Sequence, residues 1–363
     1  MPDLLRSVAA FAVVLGVLIF FHELGHYLAA RWRGVKVEAF SIGFGPILAS
    51  RTDRAGTVWK LCALPLGGYV KMHGQERPQD VSAEERARWV PGRTFHEKSV
   101  ASRAIIVGAG PFANFLLAIV VFAVLFGVIG RPVTLPVVDR VLPHSAAATA
   151  GILKGDRIVA VNGARIADFQ ALQAVIETHP ATRLTVTVAR AGKTLAIAVT
   201  TGARVLDGRR MGLLGVAGSQ MAYRPMSPPD AVLAGLRETW KITTETASGL
   251  AQIITGKRGT KDLGGPVRIA QMSGQVAELG LPSLLSFIAV LSVNIGLINL
   301  FPIPILDGGH LLFYLFEAIR GRPLPPRAQE YGFRAGLALL AGLFVFATFN
   351  DLSHLGLFHW LGG

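Results

Sequence analysis

Long apolar runs dominate the pattern of hydrophobic and polar positions along this chain. The run from 8 to 30 contains one charged residue, Glu23, and the run from 104 to 130 contains none. A third run, from 283 to 306, is free of charge, and a fourth, from 332 to 349, carries one arginine near its start. About 20 consecutive apolar residues cross the hydrocarbon core of a bilayer as a helix. The pattern therefore predicts four transmembrane helices.

The segment between the second and third runs has a different pattern. From 137 to 201 it alternates short β-branched runs with turn residues, and the stretch from 169 to 176 has helical spacing. The sequence GDRI at 155–158, followed by VNG at 161–163, makes the segment similar to a PDZ domain. Such a domain binds an extended peptide by adding it as a strand to an exposed sheet edge. We expect an inserted α+β PDZ domain at 131–220, with an unrelated small β domain as the alternative.

The stretch from Asp230 to Ile254 interleaves apolar and polar residues in the manner of an amphipathic helix. Helices of this kind lie in the interface of a membrane. We therefore expect 221–282 to follow the outer membrane surface, between a first membrane half at 1–130 and a second at 283–363.

The composition agrees with a membrane protein. Charged residues make up 16 %, against about 25 % in a typical soluble domain, and the mean hydropathy is +0.47. The net charge of +13 needs its own explanation, for which nucleic acid and a membrane surface are the candidates. No run of Lys and Arg stands beside stacking aromatic residues, which argues against a nucleic-acid partner.

The distribution of basic residues predicts an orientation. The loop 31–103 holds 13 of the 36 Lys and Arg residues, and the short connection 317–334 holds four. Loops rich in Lys and Arg remain in the cytoplasm, whereas long domains are translocated largely regardless of charge. We expect both termini and the segment 131–282 on the extracytoplasmic side.

Three ionisable residues lie close together inside the first apolar run. His22 and His26 are four positions apart and share one face of a helix, with Glu23 beside them. Two histidines at this spacing can hold a metal ion while the glutamate reaches a bound water. A pair of packed histidines is the alternative, but ionisable groups inside a span cost on the order of a few kcal/mol and are tolerated mainly where they pair or work. Because Cys62 is the single cysteine, any metal must be held by His and carboxylates, and zinc fits.

A catalytic zinc usually has three protein ligands and an open position for water, so a third ligand is needed. Asp307 follows the third apolar run, where Pro302 and Pro304 break the helix and free backbone groups that lipid cannot satisfy. This stretch is expected to face protein or a water-filled cavity. Asp307 is preferred because it lies closer to the break, and His310 is the competing third ligand.

A resemblance to a known family extends over almost the whole chain. The motifs that carry it are HELGH at 22–26, GGYVKM at 67–72, GPFAN at 110–114, and Asn299, Pro302, Pro304, Asp307 and Gly308. These motifs resemble those of the site-2 protease family of intramembrane zinc metalloproteases. The bacterial regulator-of-sigma-E protease branch is the most similar, although one PDZ domain is evident here where its best-known members have two.

The resemblance implies a role for each residue. His22, His26 and Asp307 would hold one zinc ion per chain, and Glu23 would take a proton from the attacking water and pass it to the leaving amine. Asn299 would contact the unwound substrate backbone, with an interhelical hydrogen bond as the alternative role. Further substrate contacts are implied at Pro302 and Pro304 and in a membrane re-entrant β-hairpin at Gly67, Gly68, Tyr69 and Val70. By analogy with PDZ loops, a new C-terminus would be received at Gly212, Leu213, Leu214 and Gly215, where a plain turn is the alternative.

The fold implied by the resemblance is an α-helical polytopic membrane protein with about four transmembrane helices, a re-entrant β-hairpin and an inserted extracytoplasmic PDZ domain. The implied function is that of an intramembrane zinc endopeptidase in stress signalling. It would cut single-span membrane proteins, such as anti-sigma factors, or remnant signal peptides, after a first cut by a site-1-type protease. The implied location is the bacterial inner membrane, with the active site toward the cytoplasmic side and the PDZ domain restricting entry.

Two hypotheses of other classes remain open at this point. A metal transporter would also place His and Asp inside helices, but it gives no role to Glu23 or to the PDZ domain. A non-catalytic scaffold that binds peptides through its PDZ domain would need no tightly bound zinc.

Overall fold

Long helices and two groups of strands alternate along the chain. The computed structural model describes residues 2–76, 81–206, 209–257, 259 and 264–354. The helices are α1 (Pro2–Trp32), α2 (Ala83–Ala87), α3 (Val100–Val128), α4 (Ala146–Ala150), α5 (Phe169–Glu177), α6 (Pro228–Ile254), α7 (Pro266–Glu278), α8 (Leu281–Asn299), α9 (Asp307–Arg320) and α10 (Pro326–His354). The strands are β1 (Val37–Thr52), β2 (Val58–Met72), β3 (Arg131–Thr134), β4 (Arg140–Val141), β5 (Arg157–Val161), β6 (Ala164–Arg165), β7 (Arg183–Arg190), β8 (Lys193–Thr200), β9 (Gly202–Leu206), β10 (Arg209–Leu213), β11 (Val216–Ala217) and β12 (Met221–Arg224). The chain divides into two units, Phe126–Ser227 and a unit built from the segments before and after it.

Four helices in the described part of the chain are long and apolar enough to cross a membrane. They comprise Leu4–Trp32, Val100–Val128, Leu281–Asn299 and Pro326–Ser353. The prediction of four helices that are long and apolar enough to span a membrane is thereby confirmed. The third helix ends at Asn299, so the charge-free run to 306 is not helical throughout, and the break predicted at Pro302 and Pro304 is present. The reason is local, since Pro302 has no N–H to donate and its ring disfavours a helical residue before it.

Glycines let the spanning helices approach one another closely. A methyl group at Gly25 of α1 would lie 2.2 Å from the carbonyl oxygen of Ala109 in α3. One at Gly296 of α8 would lie 3.1 Å from the carbonyl oxygen of Pro111 in α3. Small residues at such contacts allow the van der Waals packing on which helix association in lipid depends. Helix α3 therefore contacts both α1 and α8.

Helix α6 packs through its small residues. Its buried positions are Ala231, Ala234, Gly235 and Thr239. A methyl group at Gly235 would lie 2.8 Å from the carbonyl oxygen of Ile119 in α3, and the Thr246 hydroxyl donates to Asn294 Oδ1 of α8 at 2.9 Å. The exposed large apolar side chains include Val232, Leu233, Leu236 and Trp240. The face of α6 with small residues thus lies along α3 and α8, a contact that the amphipathic pattern did not indicate. The opposite face, with its exposed apolar side chains, is suited to contact lipid.

Strands β1 and β2 form a sheet that is more elaborate than the expected hairpin. Phe40 lies opposite both Val70 and Trp59, and Trp59 lies opposite both Phe40 and Arg51. Each strand therefore bends and contributes two segments to the sheet. The bend in β1 coincides with Gly43, whose φ of +85° is a left-handed conformation that favours glycine. Large apolar side chains near the bends are exposed: Phe44, Ile47, Leu48, Leu61 and Leu64.

The unit Phe126–Ser227 contains a four-stranded antiparallel sheet in the order β6-β5-β7-β8. The strands and the short helix expected within 137–201 are present as β5, β7, β8 and α5. Its core consists of buried aliphatic residues, among them Val138, Ile158, Leu172, Leu184, Val186 and Val188.

An ion pair fixes the turn before β5 in this unit. Buried Asp156 accepts hydrogen bonds from Arg190 Nε and Nη2, both at 2.7 Å, and from the Leu153 amide at 2.8 Å. Arg190 also donates to the Gly151 carbonyl at 2.8 Å. These bonds explain why an acidic residue follows Gly155 in the GDRI sequence.

Candidate metal centre

The first half of the centre lies on α1. His22 and His26 stand on one helix face, and their Nε2 atoms are 3.2 Å apart. His26 Nδ1 lies 2.9 Å from the Ile106 carbonyl oxygen, to which it donates when protonated, so Nε2 keeps its lone pair. Two imidazole nitrogens at this separation face each other only if a proton or a cation lies between them.

The second half comes from the start of α9. Asp307 is the first residue of that helix, and its Oδ2 atom lies 3.2 Å from His22 Nε2 and 3.6 Å from His26 Nε2. Gly308 and Gly309 make this close approach possible. Methyl groups there would lie 2.3 Å from the carbonyl oxygens of Leu300 and Ile303 respectively. The break after α8 therefore turns the chain sharply and brings Asp307 to the histidines.

The residues present fit a zinc ion. A tetrahedral site with ligand bonds of about 2.0–2.1 Å separates its ligand atoms by about 3.3–3.4 Å. The distances among His22 Nε2, His26 Nε2 and Asp307 Oδ2 are 3.2, 3.2 and 3.6 Å. Asp307 Oδ2 is also buried without a hydrogen-bond partner among the described residues, which a buried carboxylate rarely tolerates. His, His and carboxylate is a donor set that zinc enzymes use.

His310, the competing third ligand, has different surroundings. Its ring centroid lies 5.4 Å from that of Phe333 and 6.4 Å from that of Phe313. The group of potential ligands that the structure assembles consists of His22, His26 and Asp307. His310 nevertheless lines the same cavity.

A cavity of about 900 Å³ opens beside these three residues. Of the residues predicted to act on substrate, it is lined by Glu23, Asn299, Gly68, Tyr69 and Val70. The described lining does not include Gly67, Pro302 or Pro304. Pro304 instead packs on α10, where a methyl group at Gly336 would lie 3.3 Å from its Cδ atom. The two prolines thus shape the break before Asp307, and a direct contact with substrate stays a prediction.

The sheet meets the centre at Gly68. A methyl group there would lie 2.7 Å from Ile19 Cγ2 and 3.0 Å from Glu23 Cγ. The segment 68–70 pairs with β1 on one side, and no described strand pairs with its other edge. An open strand edge therefore runs past Glu23 along the cavity.

A polar group at the cavity wall was not predicted from the sequence. Arg103 Nη2 donates to Glu317 Oε1 at 2.7 Å, and the guanidinium lies 5.0 Å from the ring centroid of Tyr314. All three residues line the cavity. Arg103 looked like one of many basic residues that flank a span, and no local spacing linked it to α9.

A second cluster anchors the loop that follows β2. His73 Nδ1 lies 2.7 Å from Glu38 Oε1, and the Val90 amide donates to His73 Nε2 at 2.9 Å. Burial alone would raise the pKa of Glu38, but hydrogen bonds from His73 and Lys71 outweigh it and hold that pKa below its usual range. This cluster fixes the loop, which continues to cavity residues Gln75 and Glu76.

The predicted peptide loop of the inserted unit is packed against its own unit. Gly212 and Leu213 belong to β10, and a methyl group at Gly212 would lie 2.1 Å from the Ile176 carbonyl oxygen. The Leu214 side chain is buried, and its carbonyl accepts from the Ala147 amide at 2.8 Å. Binding of a C-terminus at Gly212–Gly215 stays a prediction.

Comparison with known proteins places these features in a family context. The family model described as "Peptidase family M50" matches residues 10–343. A protein of Agrobacterium fabrum whose name assigns it to the zinc metalloproteases is 47 % identical over 366 residues, covering 96 % of each chain. The zinc metalloprotease RasP of Geobacillus kaustophilus is 34 % identical and covers 97 % of this chain and 99 % of its own. The regulator of sigma-E protease RseP of Salmonella typhimurium is 32 % identical and covers 98 % and 100 % respectively.

Proposed function

The chain belongs to peptidase family M50, the site-2 protease family, and is a zinc metalloprotease of a bacterial membrane, and on that premise we propose that it cuts transmembrane segments of single-span proteins inside the bilayer. Similarity to RasP and RseP supports a place in regulated intramembrane proteolysis. Anti-sigma-factor-like proteins and remnant signal peptides are the proposed substrates. A site-1-type protease would make the first cut.

The proposed zinc ligands are His22 Nε2, His26 Nε2 and Asp307 Oδ2. Their separations support this assignment, as does the buried Asp307 Oδ2, which has no hydrogen-bond partner among the described residues. Zinc, when bound, lowers the pKa of water to about 7 and polarises a carbonyl. The three side chains supply a rigid donor set, because each is fixed by a helix end or a neighbouring helix.

Glu23 is the proposed general base and acid. It follows His22 directly on α1 and lines the same cavity. Its carboxylate would accept a proton from the attacking water and return it to the nitrogen of the leaving amine. The open edge of the sheet beside it supports this role, since a bound strand would run past the carboxylate.

The substrate is proposed to bind in an extended form. A peptide bond within a helix is shielded by its own hydrogen bonds, so the transmembrane segment must unwind before water attacks. The edge at Gly68, Tyr69 and Val70 is suited to pair with it by strand addition, and Asn299 would hydrogen-bond its backbone. Both groups line the cavity. The exposed apolar side chains near the bends of β1 and β2, such as Leu48, support insertion of this sheet into the bilayer as a re-entrant element.

The proposed orientation places both termini outside and the active site toward the cytoplasm. The basic residues in 31–103 and 317–334 support it by the positive-inside rule. The unit Phe126–Ser227 is then extracytoplasmic, and we assign it a PDZ-like role in selecting substrates that have been shortened outside the membrane. Its four-stranded sheet and α5 support that assignment.

The observation that carries the proposal is the assembly of three potential ligands beside the cavity, His22 and His26 from within the apolar helix α1 and Asp307 from the first position of α9. The test is cleavage of a single-span protein by the full chain in liposomes, with the new termini mapped by mass spectrometry. We expect a cut within the apolar segment, loss of activity with a zinc chelator and recovery with zinc. Cuts confined to the water-exposed flanks would contradict intramembrane cleavage.

A further inference from the structure

One face of α3 forms the wall behind the two histidines. Ile106, Gly110 and Asn114 are four residues apart and share this face. The Ile106 carbonyl lies 2.9 Å from His26 Nδ1, and Asn114 Nδ2 lies 3.2 Å from His22 Nδ1. Gly110 lies between them, where a methyl group would come 2.3 Å from His26 Nε2. Each histidine therefore has a partner on α3 at the ring nitrogen that points away from Asp307.

Asn114 is fully buried, and its position is fixed from the other side as well. The Ser292 hydroxyl of α8 donates to the Asn114 carbonyl oxygen at 2.8 Å. A methyl group at Gly296, one turn further along α8, would lie 3.3 Å from Asn114 Cβ. The side chain consequently has little room except toward His22. In the present rotamer its Oδ1 atom is buried without a described hydrogen-bond partner.

The chemistry of a metal-binding histidine decides which amide atom faces the ring. A neutral imidazole that gives its Nε2 lone pair to a cation carries its proton on Nδ1, so Nδ1 is a donor. The partner of that N–H must be an acceptor, as the Ile106 carbonyl is for His26. The nitrogen and oxygen of an amide exchange places by a half-turn of the group, and their assignment follows from the hydrogen bonds they make. If the amide is turned so that Asn114 Oδ1 faces His22, this buried oxygen accepts a hydrogen bond from His22 Nδ1–H and is no longer without a partner.

We propose that Asn114 is a positioning residue that accepts a hydrogen bond from His22 Nδ1–H through Oδ1 and so holds His22 in the tautomer and orientation that bind zinc. The proposal rests on the metal site proposed above. In this arrangement α3 holds both zinc-binding histidines, His26 through the backbone carbonyl of Ile106 and His22 through the side-chain amide of Asn114. Loss of such an outer partner typically costs about 10–100-fold in metal affinity.

The test is the zinc affinity of the purified full chain in detergent, measured by competition with a chromophoric chelator. Asn114→Leu has a similar volume and no acceptor, and Asn114→Asp keeps an acceptor but loses the amide N–H groups. Asn294→Leu is the matched control. Asn294 also makes an interhelical hydrogen bond inside a span, but its partner is Thr246 and not a histidine. We expect about 10–100-fold weaker binding for Asn114→Leu, and binding at least as tight as wild type for Asn114→Asp. Asn294→Leu should leave the affinity unchanged.

Two results would overturn the proposal. One is an Asn114→Leu affinity equal to that of wild type, and the other is an Asn114→Asp affinity as weak as that of Asn114→Leu, which would indicate that His22 Nδ1 needs a donor. If Asn114→Leu does not fold, Asn114→Asp decides alone, since a loss of tenfold or more contradicts an acceptor role. His22→Ala separates this inference from the metal site itself. If His22→Ala retains zinc, the proposed metal site is wrong. If His22→Ala loses zinc but Asn114→Leu binds it normally, only the role of Asn114 is wrong.

Discussion

Asp307 Oδ2 lies 3.2 Å from His22 Nε2, although these residues belong to α9 and α1, near opposite ends of the chain. The contact exists only when the two membrane halves are packed together. Metal binding is therefore coupled to the tertiary structure of the membrane unit, as it is wherever a site is absent from the unfolded chain. This coupling leads to predictions about metal content, about close packing on α3 and about stability.

Asp307→Asn should weaken zinc binding strongly, because the neutral amide supplies no charge to the cation, whereas His310→Gln should leave one zinc per chain. Both can be measured as zinc content and chelator competition on purified protein. His310→Gln is the matched control, since His310 lines the same cavity one helical turn away. Retained zinc in Asp307→Asn together with loss in His310→Gln would make His310 the third ligand.

Removal of the metal should lower the thermal stability of the membrane unit. A ligand that binds the folded state and not the unfolded state contributes RT ln(1 + [L]/Kd), which is about 2.7 kcal/mol at a hundredfold excess over Kd. Thermal unfolding with and without a chelator measures the difference. The His22→Ala variant should show no chelator effect, and an equal effect in that variant would indicate that zinc stabilises the chain from another place.

Gly110→Ala should weaken zinc binding, while Gly108→Ala on the same helix should not. A methyl group at Gly110 would lie 2.3 Å from His26 Nε2 and 2.9 Å from His22 Nε2, so the ligand atoms themselves must move. At Gly108 the nearest atom is Leu311 Cδ1 at 3.9 Å. Both changes favour helix formation by up to about 1 kcal/mol, so a difference between them reports on the site. Equal zinc affinities in the two variants would contradict the placement of α3.

The sequence predicts those features that depend on neighbouring residues. Four spans follow from hydropathy, and the shared face of His22 and His26 follows from their spacing on a helix. The break before Asp307 follows from two prolines, since each removes a backbone donor. These are local rules, and the structure agrees with them.

Features that depend on distant contacts were not predictable in the same way. The choice between Asp307 and His310 depended on how α9 packs against α1. The pair of Arg103 and Glu317 joins helices far apart in the chain, and no spacing in the sequence links them. The two bent strands β1 and β2 likewise exceed the expected hairpin, because Phe40 pairs on both sides.

Gly68→Ala should slow cleavage without loss of zinc. Its methyl group would lie 2.6 Å from the Ser41 carbonyl oxygen and 3.0 Å from Glu23 Cγ, so the sheet edge or Glu23 must shift. Gly16→Ala is the control, since no atom lies within 4 Å of the methyl position there. The measurement is the cleavage rate of a single-span protein in liposomes, together with zinc content. A normal rate in Gly68→Ala would argue against substrate pairing at this edge.

The unit Phe126–Ser227 should lose stability in acid through Asp156. Hydrogen bonds from Arg190 and from the Leu153 amide hold the pKa of Asp156 below its usual range, against the opposite effect of burial. A carboxyl with a lowered folded pKa stabilises the fold above its unfolded pKa of about 3.9 and loses that contribution as pH falls toward the folded value. Hydrogen exchange of β7 and β8 in the full chain, corrected for intrinsic rates, should show Asp156→Asn less protected than wild type at pH 7, with the difference shrinking below about pH 4. A difference that does not change with pH would contradict this account.

The central claim is that Glu23 moves the proton while His22, His26 and Asp307 hold the zinc. The most direct measurement is made on Glu23→Gln, which has nearly the same shape but cannot accept the proton. We predict one zinc per chain and a chelator affinity close to wild type, together with loss of cleavage of a single-span protein in liposomes. Undiminished cleavage by Glu23→Gln with its zinc in place would contradict the account.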